Sequence, residues 1–229
     1  MNDRRRASAH VFVDDLDAPV LDSDDAHHLT RVLRLRDGER VTASDGRGRW
    51  RNCRFDGSAL VADGDNESEA STNSSAVLFA LSKGDKPETS VQKLTELGVA
   101  RIVPFVAERS VVKWDDGKSQ RNIERLRKVA REAAMQSRQV RLPIVDDVQP
   151  SLAAAIDLVG GAVTGDVVVA EPGGAALESV VAAIAVGPEG GFTPAELAGR
   201  RTVSLPGGVL RAETAAVVAG ALLVDRHTR

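Results

Sequence analysis

The chain has 229 residues, 42% of them hydrophobic and 28% charged, and a formal net charge of −3. Its single cysteine, Cys53, excludes a disulfide framework and a multi-cysteine zinc site. His10, His27, His28 and His227 have no metal-ligand spacing, so no metal is expected. No apolar run reaches bilayer length, and Arg4, Arg5 and Arg6 lead into Val11-Phe12-Val13 and then acids rather than a signal segment. A cytoplasmic protein with no membrane partner is expected.

The first element in chain order is a short helix across Asp24 to Leu35, carrying Leu29, Val32 and Leu33. Turn signals then punctuate the chain at Arg36-Asp37-Gly38, Asp45-Gly46-Arg47-Gly48 and Asp56-Gly57, with Val41, Trp50, Phe55 and Leu60 in strand-length pieces between them. This pattern predicts a small β-barrel-like domain. Asp63 to Ser75 is polar and reads as a linker, which divides the chain into residues 1–70 and 74–229.

Beyond the linker, strands and helices alternate. Ala76 to Leu81 is an apolar run of strand length, and Asp85-Lys86-Pro87-Glu88 offers a cap and first turn for a helix that stops at Gly98. Arg101 to Val106 is the next strand, and Ser119 is placed to cap a long helix bearing Ile123, Leu126, Val129, Ala130, Ala133 and Ala134. Val167 to Ala170, Ala182 to Val186 and Thr202 to Leu205 are further strands, and Thr193-Pro194-Ala195-Glu196 is a capping box. The last helix, near Ala212 to Val224, is apolar almost all round and is expected to be buried. Strands separated by helices imply an α/β fold with a mostly parallel sheet, which binds ligands at the carboxyl ends of its strands.

Two of those strand ends are rich in glycine: Gly187-Pro188-Glu189-Gly190-Gly191 and Leu205-Pro206-Gly207-Gly208-Val209-Leu210. Each permits close approach of backbone to a ligand, or is simply a tight turn. P-loop and dinucleotide fingerprints are missing, which counts against ATP, GTP and NAD. Arg211 stands at the start of the last helix, where a cation is unfavourable. It is therefore expected to pair with Glu213, Glu189 or a ligand. Basic residues cluster between Arg31 and Arg54 and again between Lys118 and Arg141. Either patch alone reads as a solvated face; together, in a net-acidic chain, they point to a phosphate backbone. Trp50 and Phe55 are candidates for stacking on bases.

The ordered motifs resemble those of the RsmE-type 16S rRNA (uracil N3) methyltransferases of the SPOUT class. The similar blocks are His27-His28-Leu29-Thr30-Arg31-Val32-Leu33-Arg34, Lys83-Gly84-Asp85-Lys86 with Gln92 to Val99, and Arg131-Glu132-Ala133-Ala134-Met135-Gln136-Ser137. Gly187 to Gly191 and Leu210-Arg211-Ala212-Glu213-Thr214-Ala215 complete the order. Ala212 departs from the family's usual threonine there.

The resemblance implies a PUA-like RNA-binding β-barrel domain over residues 1–70 and a SPOUT domain with a C-terminal trefoil knot over 74–229. It implies S-adenosylmethionine as cofactor, a homodimer, and 16S rRNA within the assembled small subunit as substrate. Arg211, Glu213 and Glu189 are the expected catalytic residues. Gly187, Pro188, Glu189, Gly190, Gly191, Leu205, Gly207, Leu210 and Thr214 are expected to bind the cofactor. Arg31, Arg34, Arg47, Arg109, Arg131 and Arg138 are expected to meet RNA.

Overall fold

A computed structural model describes residues 3–70, 73–112, 114–177 and 181–228. The chain forms two compact units, one of Met1–Ser71 with Arg131–Leu142 and one of Thr72–Ala130 with Pro143–Arg229.

The first unit is built on five strands: β1 (Ala9–Phe12), β2 (Arg40–Ser44), β3 (Arg49–Phe55), β4 (Leu60–Ala62) and β5 (Glu67–Ser68). They pair in the order β1-β2-β3-β4, and β5 also pairs with β3. Between β1 and β2 lies α1 (Ser23–His27), which runs on as a π turn through Val32. Asp22 starts α1 by accepting the backbone N–H of Asp25 at 2.7 Å. Val11, Leu29, Val41, Cys53 and Phe55 are fully buried between these elements.

Along β3, Arg49 and Arg54 are exposed, Cys53 and Phe55 point into the core, and Trp50 is buried on the opposite face with the Arg4 guanidinium 5.4 Å from its ring centroid. Trp50 is 2% exposed and Phe55 0%, so neither is available to stack on a base. That correction has two causes: Phe55 fills the core, and Trp50, on the other face, is covered by Arg4. The polar stretch read as a linker also contributes structure, because Glu67 and Ser68 pair with Trp50 and Arg49.

The segment Arg131–Leu142 closes this unit from far along the chain. Gly48 N–H donates to Val140 O, Leu142 N–H to Gly46 O, and the Ser44 hydroxyl to Val140 O. His10 bridges Thr42 Oγ1 and Gln139 O, each at 2.8 Å.

The second unit is a six-stranded parallel sheet: β6 (Ala76–Ala80), β7 (Arg101–Phe105), β8 (Ile144–Val145), β9 (Asp166–Ala175), β10 (Val181–Val186) and β11 (Thr202–Val203). Their order is β11-β9-β10-β6-β7-β8, and every pairing is parallel. Five helices accompany it: α2 (Lys86–Leu97), α3 (Asp116–Ser137), α4 (Leu152–Gly160), α5 (Pro194–Leu197) and α6 (Ala212–Thr228).

Both faces of the sheet are covered, which is why β6 and β10 read as unbroken apolar runs. Val77, Phe79, Ile184 and Val186 pack with Leu94 of α2, Leu126 of α3 and Leu223 of α6. Ala76, Leu78, Ala183 and Ala185 face the other way, onto Leu152 and Val159 of α4 and onto Phe192.

Local signals set most helix ends. The Thr193–Glu196 capping box forms as expected, and Gly98 ends α2 in the left-handed conformation at φ 86°. Two expected caps differ. The Asp85 side chain accepts no capping bond. α3 begins before Ser119, where Asp115 Oδ1 accepts the backbone N–H of Lys118 at 2.8 Å. α6 is also less enclosed than its composition suggests: Ala216, Ala219 and Leu223 are buried, Val217, Val218 and Leu222 are half-buried, and Ala221 is exposed. Among the described residues, no helix is long and apolar enough to cross a membrane.

Candidate cofactor and catalytic site

The carboxyl ends of β9, β10 and β11 open into a cavity of about 580 Å³. Its floor is Ala170 and Val186, the last residues that pair β9 to β10. Its walls are the loop that follows β10 and the loop between β11 and α6. Ligand pockets commonly span roughly 300–1,000 Å³, so the space suits a small organic cofactor.

The first loop depends on Gly187. A Cβ there would lie 2.9 Å from Cε2 of Phe192, whose ring is 4% exposed and stacks on Phe105 with centroids 6.3 Å apart. Only a glycine lets the chain turn so close to that ring. Gly187, Pro188, Glu189, Gly191, Leu205, Gly207 and Leu210 all line the cavity. Gly190 and Thr214 do not; Gly190 packs instead against Arg109, which donates from Nη1 to Gly190 O at 2.9 Å.

Charge at the site is arranged around Lys86, the first residue of α2. Its ammonium donates to Glu189 Oε1 at 2.5 Å and stands 3.9 Å from Glu213 Oε2. The hydrogen bond to Glu189 raises the Lys86 pKa and lowers that of Glu189. Glu213 Oε2 is buried and has no hydrogen-bond partner. Arg211 lines the cavity, is exposed, and makes no ion pair with either carboxylate. Of the partners expected for Arg211, which were Glu213, Glu189 or a ligand, the two acids face Lys86 instead.

Two residues at this site went unassigned in the sequence. Lys86 lies in the Lys83–Lys86 block but reads there as the start of a helix. Glu171 also lines the cavity, on the part of β9 that carries Pro172, Gly173 and Gly174. Those residue types signal a break, which hid the strand's extension.

The basic residues separate into distinct environments. Arg31, Arg34 and Arg47 are exposed on the first unit. Arg131 is not free to meet a phosphate: Nη2 pairs with Asp25 Oδ2 at 2.5 Å and donates to Phe12 O at 3.2 Å. The bond to buried Asp25 raises its pKa further. These bonds give Arg131 a structural role in the first unit. Arg138 is half-buried, donates to Arg4 O at 3.3 Å, and burial lowers its pKa. Arg109 belongs to the second unit, beside the glycine loop. Among the described residues, no cluster of metal-ligating side chains occurs.

A model of the RNA methyltransferase domain matches residues 69–224, and one of the RNA methyltransferase PUA domain matches residues 21–57. The ribosomal RNA small subunit methyltransferase E of Mycobacterium bovis is 32% identical over 223 residues, covering 87% of this chain and 83% of that protein. The protein of the same name in Bacillus subtilis is 37% identical over 131 residues, 55% of this chain and 51% of that protein. A Legionella pneumophila protein solved with bound cofactor SAM superposes with a TM-score of 0.79 at 25% identity, over 93% of this chain and 96% of that one. With a family model spanning the parallel-sheet unit and its cavity, and a relative aligned over most of its length, the chain belongs to the RNA methyltransferase family of ribosomal RNA small subunit methyltransferase E.

Proposed function

We propose that this protein methylates N3 of a specific uridine in 16S rRNA, using S-adenosylmethionine bound at the carboxyl ends of β9, β10 and β11. The observation that carries the reading is the cavity itself: both glycine loops and the unpaired Arg211 converge on one space of cofactor size. The relatives' name supplies the small-subunit rRNA, and the Legionella structure supplies the cofactor.

The residues present suit that cofactor. Backbone groups of the two loops offer donors and acceptors for an adenosine and an amino acid, and the apolar floor of Ala170 and Val186 suits an uncharged ring. When bound, the sulfonium supplies an electrophilic methyl group.

The chain's own task is to hold the base in line and to manage a proton, because uracil N3 is protonated at neutral pH. Arg211, exposed in the cavity wall and unpaired, meets the negative charge that develops on the base. Between the two carboxylates, Glu213 is the better proton acceptor. Glu189 is committed to Lys86, whereas Glu213 keeps an oxygen with no hydrogen bond.

Residues 1–70 together with Arg131–Leu142 form the PUA-like part, with Arg31, Arg34 and Arg47 as phosphate contacts, and the remainder of residues 74–229 forms the SPOUT domain, with Arg109 beside its catalytic loop. A knotted C-terminal region belongs to the same reading, with β9 running on past Ala170 to pair with β11 at Val203. A homodimer is supported by the half-buried Val217, Val218 and Leu222 on α6, an apolar face that a second copy would cover. The assembled small subunit in the cytoplasm is the proposed site of action. Nucleoside mass mapping of 16S rRNA from a strain lacking the gene tests the reading: 3-methyluridine should vanish and return on complementation. Unchanged 3-methyluridine would overturn it.

A further inference from the structure

Lys86 occupies a place at the site that no local pattern announces. Its ammonium binds Glu189, 103 positions away in the chain, and also lies within ion-pair distance of Glu213. Arg211 is two residues before Glu213 and yet touches neither acid. Arg211 and Glu189 line one cavity, and a guanidinium that reaches a carboxylate forms charge-assisted hydrogen bonds with it. Here those acids already face a lysine. The positive charge of Arg211 is felt at Lys86, so the two cations also repel. Lys86 itself is not among the residues that line the cavity.

We propose that Lys86 is a positioning residue for methyl transfer: by engaging Glu189 and Glu213 it keeps both carboxylates off Arg211, which stays unpaired to receive the charge of the target base. This rests on the reading of Arg211 as the group that meets the base. Lys86 acts through Arg211 and touches neither base nor cofactor.

The loss of Lys86 has a calculable consequence. A surface ion pair of Arg211 with a released carboxylate is worth up to about 1 kcal/mol, a factor of about five in the unpaired population. The direct test needs no substrate. Phenylglyoxal labels free guanidinium groups, and peptide mass spectrometry of the labelled protein reads the rate at Arg211. In K86M that rate should fall about fivefold. K86Q should move it in the same direction, which covers any folding defect peculiar to methionine. K86R, which keeps the cation, should stay within about twofold of the wild type, and K86M/E189Q should recover much of the loss.

On small subunits, kcat of K86M should fall by the same factor of about five. Calorimetric affinity for S-adenosylhomocysteine should change by less than about twofold, since Lys86 lines no part of the cavity. An unchanged Arg211 labelling rate in K86M and K86Q overturns the proposal, and so does an equal fall in K86R. A large loss of S-adenosylhomocysteine affinity with normal labelling also overturns it, and makes Lys86 a loop support. A wild-type protein that fails to methylate 16S rRNA sinks the functional reading instead, while the labelling series still decides the role of Lys86.

Discussion

Replacing Gly187 by alanine places a methyl group 2.9, 3.1 and 3.3 Å from Cε2, Cδ2 and Cζ of Phe192. The ring has little room to retreat. It is 4% exposed and lies parallel to Phe105, at an interplanar angle of 5°, and Phe105, at the end of β7, is 0% exposed. Either the ring is driven against Phe105 or the 187–191 loop lifts away from it. Overpacking of this kind costs about 1–3 kcal/mol. For a domain of this size each kcal/mol lowers the melting temperature by about 2–4 °C, so a fall of about 2–12 °C is expected. Because the displaced loop is also the cofactor wall, affinity for S-adenosylhomocysteine should fall with it. Thermal melting and isothermal titration calorimetry measure the two effects separately. Shrinking the obstacle should reverse both: Gly187→Ala with Phe192→Leu should be less destabilised than the sum of the single variants. If Gly187→Ala keeps wild-type stability and affinity, the close approach of loop and ring has no energetic weight and the reasoning is wrong.

Other consequences are equally direct. Arg211→Ala should lower kcat by about 10²–10³-fold while melting and S-adenosylhomocysteine binding stay near wild type; an active variant removes Arg211 from the mechanism. Arg131→Met leaves Asp25, 4% exposed, without its ion pair, and should destabilise the protein by about 2–4 kcal/mol in urea unfolding; adding Asp25→Asn should recover part of that loss. His10 is pushed down to about 4 from 6.5 by burial. Its folded pKa lies below its unfolded one, so the neutral ring's contribution is complete above pH 6.5 and is lost as pH falls toward 4. The difference in stability between wild type and His10→Gln should therefore shrink by up to about 3 kcal/mol across that window, and a pH-independent difference would contradict the burial of a neutral ring.

Much of the parallel-sheet unit is legible in the sequence because its physics is local. Ala76 to Leu81 and Ala182 to Val186 are apolar throughout because both faces of β6 and β10 are covered. The Thr193–Glu196 box and Gly98 mark helix ends through their own hydrogen bonds and dihedral angles. The glycine loops stand out because residue type alone reports close backbone approach, as at Gly187.

What escaped the sequence depends on partners far along the chain. Arg131 reads as part of a basic helix face, and only the approach of Asp25 makes it structural. Trp50 reads as a stacking platform until β3 is paired on both sides and Arg4 covers its ring. Glu171-Pro172-Gly173 reads as a break, yet it continues β9 where pairing passes from β10 to β11. Lys86 shows the same limit at the site itself, since a lysine at a helix start carries no sign that two acids will reach it.

The central claim is tested most directly by supplying the purified protein with S-adenosylmethionine carrying a labelled methyl group and with small subunits from a strain lacking the gene. The account predicts label in 16S rRNA as 3-methyluridine at a single position, absent when Arg211→Ala replaces the wild type. Label in any other nucleoside, or no transfer despite measured cofactor binding, would contradict it.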